Sequence, residues 1–260
     1  MSATTAILSR GNWVRHATGF PQSARINLWM GGIIVTFLAA VGLLAPWIAP
    51  YDLNEFDLTT LSAGSGGTHL FGTDGIGRDV LSQVIYATRT DLLVGLLSAI
   101  CPLLIGAGMG LLPGALGRWI DSLVRLDDVI DLAFPLIVVP VAFIVGPGLV
   151  GFVAALSLAG WVSYARLVRM PALKARKLTG IACVIFALSD VIPAVWAFVS
   201  LSVLGLGASP PTVEWGFLIL MGLHGSSAAW WISGLAFALL ILGCSQLAQG
   251  LTTRFGLRQS

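Results

Sequence analysis

The sequence predicts an all-α, polytopic transmembrane bundle of about six spans. Two observations carry most of that prediction: 57% of the 260 residues are hydrophobic, and only 10% are charged. A chain of this composition has too much apolar surface for one soluble core with an ordinary charge content, so lipid must act as its solvent. The third observation is the distribution of charge, which falls between long apolar runs. A net charge of +2 is too small to argue for a nucleic-acid partner, and the basic residues are better read as topology markers. Cys101, Cys183 and Cys244 all stand in apolar runs without a CxxC pair, and read as small buried hydrophobes rather than a disulfide or metal site.

In chain order, residues 1–26 form a mixed, basic segment, and residues 27–50 the first span, with Trp29 and Trp47 near its ends as aromatic anchors. A cleaved signal peptide would have a shorter apolar core and a small-residue cleavage site, so this span is expected to be retained. Residues 51–90 make the longest polar excursion. Its second half runs FGTDGIGRDVLSQVIYATRTDLLVG from Phe71 to Gly95. Gly72, Gly75 and Gly77 favour a tight loop, while Asp74, Arg78 and Asp79 place opposite charges within mutual reach. From Val80 the apolar positions recur at helical spacing, as in a helix lying at a membrane surface before the next span.

The second span is expected at 91–114, followed by an amphipathic piece, GRWIDSLVRLDDVID, leading into a third span at 129–146. The Gly146-Pro147-Gly148 turn returns the chain into a fourth span at 149–166. The basic patch YARLVRMPALKARK then precedes a fifth span at 178–204, interrupted by Asp190 and Pro193. The loop GLGASPPTVEWG reads as a rigid turn at Pro210 and Pro211 with Trp215 at the interface. A sixth span at 230–251 and a short tail, 252–260, complete the permease-like domain of residues 27–251. With both termini inside, twelve of the fourteen Lys and Arg residues fall on the cytoplasmic side, and only Arg78 and Arg89 lie outside.

Four separated motifs, in order, resemble one family. FGTDGIGRDVLSQVIYATRTDLLVG, GRWIDSLVRLDDVIDLAFPL, VGPGLVGFVAALSLAGWVSYARLVR and SVLGLGASPPTVEWG are similar to the permease subunits of dipeptide, oligopeptide and nickel ABC importers. The resemblance covers about residues 27–250. It implies a type I importer fold in the bacterial inner membrane, working by alternating access. It also implies a second permease, two cytoplasmic ATP-binding subunits and an extracytoplasmic solute-binding protein as partners. No P-loop GxxxxGK[ST] occurs, so ATP hydrolysis is expected on those partners. No catalytic residue, cofactor or metal site is expected; His16, His69 and His224 are scattered, and neither HExxH nor GxSxG is present.

The resemblance assigns Gly72, Asp74, Gly77, Arg78 and Asp79 to the external family motif, near the docking face for a binding protein; a self-capping loop is the plainer reading of the same residues. Importer permeases carry an EAAxxxG coupling segment after the fourth span. Here the matching stretch reads KARKLTG, with Lys174 in place of the acid and Ala175 and Gly180 retained. The coupling loop toward the ATPase is therefore assigned to Arg166, Arg169, Lys174, Ala175, Arg176, Lys177 and Gly180, and about two dozen residues are missing relative to the family. This shortening raises a second reading, a degenerate permease kept as an assembly subunit. Placing 181–192 in the cytoplasm would leave only 193–206 to cross, about 20 Å of helix against about 30 Å of hydrocarbon, so 178–204 is preferred as the span. That puts Asp190 inside the membrane, either lining the translocation path or as a satisfied carboxylate beside the Pro193 kink.

Overall fold

A computed structural model describes residues 22–53, 55, 57, 59–111, 140–141, 144–146, 148–169, 176–203, 205, 207, 212–224 and 228–255, with side chains from 179 in the helix that begins at 176. The helices are α1 (Gln22–Leu43), α2 (Ala45–Ile48), α3 (Val80–Gly110), α4 (Leu149–Arg169), α5 (Arg176–Val203), α6 (Trp215–His224) and α7 (Ala229–Arg254). Among the described residues five helices are long and apolar enough to cross a membrane: α1, α3, α4, α5 from Thr179, and α7. The amphipathic piece after Gly117 and most of the third expected span lie outside the described residues.

Each boundary has a local cause. Proline lacks an N–H and restricts the residue before it, and α1 gives way to the short α2 where Pro46 enters. α3 starts where the Asp79 carboxylate accepts from the Ser82 amide at 2.8 Å, satisfying one of the orphan donors of the first turn. It then runs unbroken for 31 residues, about 46 Å at 1.5 Å per residue. The expected surface helix and second span are thus one rod, a correction to the sequence reading. The Arg89–Asp91 charges do not break it, because Asp91 turns inward onto another helix. α5 is likewise continuous through Asp190 and Pro193 for 28 residues.

Packing centres on α3 and α5. Val80, Val84 and Ala87 of α3 meet Val195 and Val199 of α5, Trp215 and Leu218 of α6, and Phe237 and Leu240 of α7. Farther along, Val94 of α3 joins Phe152 and Ala155 of α4 and Phe198 of α5, and Tyr164 and Leu167 of α4 pack on Ala182 and Phe186 of α5. Small residues allow close approach, as membrane helices require. A Cβ on Gly106 would lie 2.6 Å from Tyr164 Cβ, and one on Gly31 would lie 2.7 Å from the Gly243 carbonyl oxygen. α1 and α7 are antiparallel: Gly31 meets Gly243, and Leu28 meets Gly250, so the start of α1 and the end of α7 share one face of the bundle. Trp29, Ile33, Phe37 and Trp47 stay exposed, an apolar exterior suited to lipid. Several intramembrane hydroxyls are satisfied within their own helices, as in Thr88 to the Val84 carbonyl (2.9 Å) and Ser189 to the Ile185 carbonyl (2.9 Å), whereas those of Ser98 and Ser233 have no hydrogen-bond partner among the described residues.

Candidate functional site

The polar loop before α3 folds into a hydrogen-bonded cap. Gly77 takes φ +82°, and a Cβ there would collide with the backbone of Asp57; Gly72 takes φ +79° against Ala63. Glycine is therefore needed at both positions. Between them, Asp74 Oδ1 accepts from the Ile76 amide (3.0 Å) and the Arg78 amide (2.9 Å), while Oδ2 accepts from Arg78 Nε (2.9 Å) and Gln83 Nε2 (3.0 Å). Backbone bonds tie the loop to its first half: Ser62 N donates to the Asp74 carbonyl (2.9 Å), and Asp57 N to the Gly77 carbonyl (3.1 Å). The Thr73 hydroxyl bonds to the Thr60 carbonyl and accepts from the Ala63 amide (2.9 Å). The external-motif residues are thus brought together, with Asp79 as helix cap and Arg78 paired locally.

His69 is the contributor that spacing does not reveal. It is buried, its Nδ1 lies 3.1 Å from Asp79 Oδ1, and the Tyr51 ring packs on it at 4.7 Å. Asp79 therefore accepts from Ser82 on one oxygen and faces His69 on the other. With the carboxylate in the middle, His69 and Ser82 are held apart rather than in line, so the trio works as a clamp and not as a nucleophile relay. Asp57, in the same loop, accepts from the Thr59 hydroxyl (2.5 Å) and amide (2.9 Å), and these bonds hold its carboxyl below the usual aspartate range.

A cavity of about 360 Å³ separates this cap from α6; Asp74, Arg78 and Gln83 line one wall and Leu218, Met221 and His224 the other. Behind it, α6 is anchored from within. The Trp215 amide donates 2.8 Å to Asp91 Oδ2, so a residue of α3 supplies the first-turn acceptor of α6. Asp91 and Glu214 are both fully buried. Asp91 Oδ1 has no hydrogen-bond partner among the described residues. The Glu214 carboxyl sits over Gly207, where no Cβ would fit. Trp215 is fully buried, its ring 6.3 Å from that of Phe237, which corrects its reading as an interfacial anchor: opening a helix inside the bundle, it has no path to the interface.

At the opposite end, Arg169 Nε donates 2.9 Å to the Gly110 carbonyl, the last residue of α3. A guanidinium here satisfies an orphan carbonyl and opposes the negative helix end. Arg166 occupies the same last turn of α4. Gly180 is exposed on α5; Arg176 and Lys177 open that helix, their side chains outside the described set, and Lys174 and Ala175 lie outside the described residues. Asp190, partly buried on α5, neighbours the Tyr164 hydroxyl of α4. All three cysteines are free, and Cys183 and Cys244 are buried.

Comparison with known proteins decides the family. The model for the N-terminal transmembrane domain of oligopeptide transport permease C matches residues 28–64. The di/tripeptide transport system permease protein DppC of Pseudomonas aeruginosa (strain UCBPP-PA14) is 33% identical, over 85% of each chain. The chain belongs to the permease subunits of ABC peptide importers. The glutathione transport system permease protein GsiD of Pectobacterium atrosepticum is 32% identical over 72% of this chain and 71% of its own length. The dipeptide transport system permease protein DppC of Bacillus subtilis (strain 168) is also 32% identical, over 79% of this chain and 73% of its own. This permease is a multi-pass protein of the bacterial inner membrane and a transport subunit.

Proposed function

We propose that this permease forms half of a translocation path for di- or oligopeptides. Its partners in this reading are a second permease, two cytoplasmic ATP-hydrolysing subunits and an extracytoplasmic solute-binding protein. The observation that carries it is the polar cap of residues 51–79, folded on itself and facing α6 across an open cavity at one end of an otherwise apolar bundle. Such a cap offers a docking face for a binding protein without exposing the core. Peptides are favoured as the substrate class because the relatives are named for dipeptides, tripeptides and glutathione. In this reading both termini lie in the cytoplasm and the cap outside, an orientation supported by the distribution of the basic residues.

Coupling in this proposal runs through the ends of α4 and α5. The chain has six residues between them, 170–175. The ATPase is read by Arg166, Lys174, Ala175, Arg176, Lys177 and Gly180, with Arg169 holding the α4 end against α3. Motion imposed there passes along α5, which touches all three apolar clusters. Asp190, beside Tyr164, contributes a polar wall to the path. The test is ATP hydrolysis by the reconstituted complex. Peptide-loaded binding protein is expected to stimulate it severalfold, and an intact complex without stimulation would refute the reading.

A further inference from the structure

The face of the bundle opposite the polar cap carries a feature that the importer reading leaves unused. A groove of about 890 Å³ runs along α1 where it meets the end of α7. Its mouth holds two guanidiniums from opposite ends of the chain, Arg25 in the first turn of α1 and Arg254 in the last turn of α7, both exposed. Neither helix contains an Asp or Glu. Arg254 also lies over the Phe255 ring, 5.4 Å from its centroid. Below the arginines the wall turns apolar: Leu28, then Trp29 at 68% exposure and Ile33 at 64%. The floor is Gly32, where an added Cβ would meet nothing within 4 Å. This differs from Gly31 one position away, which packs tightly on α7. The groove therefore has a cationic head, an aromatic shoulder and a greasy, open trough, on a helix whose outer face is made for lipid.

We propose that this groove binds an anionic phospholipid, its phosphate between Arg25 and Arg254 and one acyl chain lying along Trp29 and Ile33 over Gly32. Basic pockets between membrane helices recognise acidic lipid head groups by charge, and an indole at that depth suits the head-group boundary. Arginine suits the role because its planar fork can give two hydrogen bonds to a phosphate. The lipid would bridge the first and last membrane helices, fastening the α1–α7 pair at the end where Gly250 and Leu28 already meet.

The test is native mass spectrometry of the full chain in mild detergent, titrated with phosphatidylglycerol or phosphatidylcholine of identical acyl chains. Phosphatidylglycerol is expected to bind about thirtyfold more tightly, from roughly 1 kcal/mol for each of two basic residues. R25A/R254A should abolish that preference and leave weak binding of both lipids, whereas R25K/R254K should retain most of it. Gly32→Leu fills the trough without touching either arginine and should weaken both lipids. Elution volume and helical circular dichroism confirm that each variant is folded. Equal affinity for the two lipids, an unchanged preference in R25A/R254A, or full phosphatidylglycerol binding in Gly32→Leu would overturn the proposal. So would displacement by inorganic phosphate, which marks a free-anion site, or loss of the lipid on assembly with the second permease, which marks a subunit interface.

Discussion

Replacing Asp91 probes the link between α3 and α6. In the native chain its Oδ2 accepts 2.8 Å from the Trp215 amide, in a fully buried setting where water cannot replace it. Asp91→Ala strands that amide. An unsatisfied buried donor costs about 1–3 kcal/mol, which overlaps the roughly 0.5–2 kcal/mol lost with a helix N-cap. Asp91→Asn keeps an oxygen for the same amide. It is expected to stay within about 1 kcal/mol of the native protein, since the acceptor survives. Reversible unfolding of the purified chain in mixed micelles, with denaturing detergent as the variable, measures both. The reasoning fails if Asp91→Asn is as destabilised as Asp91→Ala, or if neither differs from the native protein.

Three further outcomes follow from the two ends of the bundle. Gly77→Ala forces a Cβ against Asp57 at φ +82° and should open the cap by at least about 1 kcal/mol, read as faster proteolysis of residues 51–79 with the helices intact. Asp57 has a lowered pKa in the folded loop, so its contribution is complete above the ordinary aspartate value of 3.8 and fades as pH falls through the lowered value; D57N should remove that acid-dependent loosening in hydrogen exchange. Arg169→Ala frees the Gly110 carbonyl and should cost about 1–3 kcal/mol in the same micelle unfolding, with Arg169→Lys recovering part; equal losses for both would show that the fork geometry is what matters.

What the sequence makes legible is what depends on near neighbours. The Gly72–Asp79 loop can be read in part because several of its constraints lie within a few residues: Asp74 binds amides two and four residues on, and Asp79 caps the helix at Ser82. Long apolar helices are equally legible, since composition alone sends them to lipid. Contacts across the bundle are not. Asp91 and Trp215 are 124 residues apart, and a charge before an apolar run looks like a surface marker until packing folds it inward. His69 and Asp79 stand ten residues apart with no periodicity that pairs them, and Arg169 looks like one more basic loop residue until it is seen on the Gly110 carbonyl. Trp215 misleads for a related reason: tryptophan is enriched at membrane interfaces, and here it is buried in the core.

The most direct measurement of the central claim is ATP-driven uptake of a labelled dipeptide by proteoliposomes holding this permease, its partner permease and their ATP-hydrolysing subunits, with binding protein added on the cap side. The account predicts accumulation that requires both ATP and the binding protein. An assembled complex that hydrolyses ATP in response to the binding protein, yet accumulates neither dipeptides nor longer peptides, would contradict it.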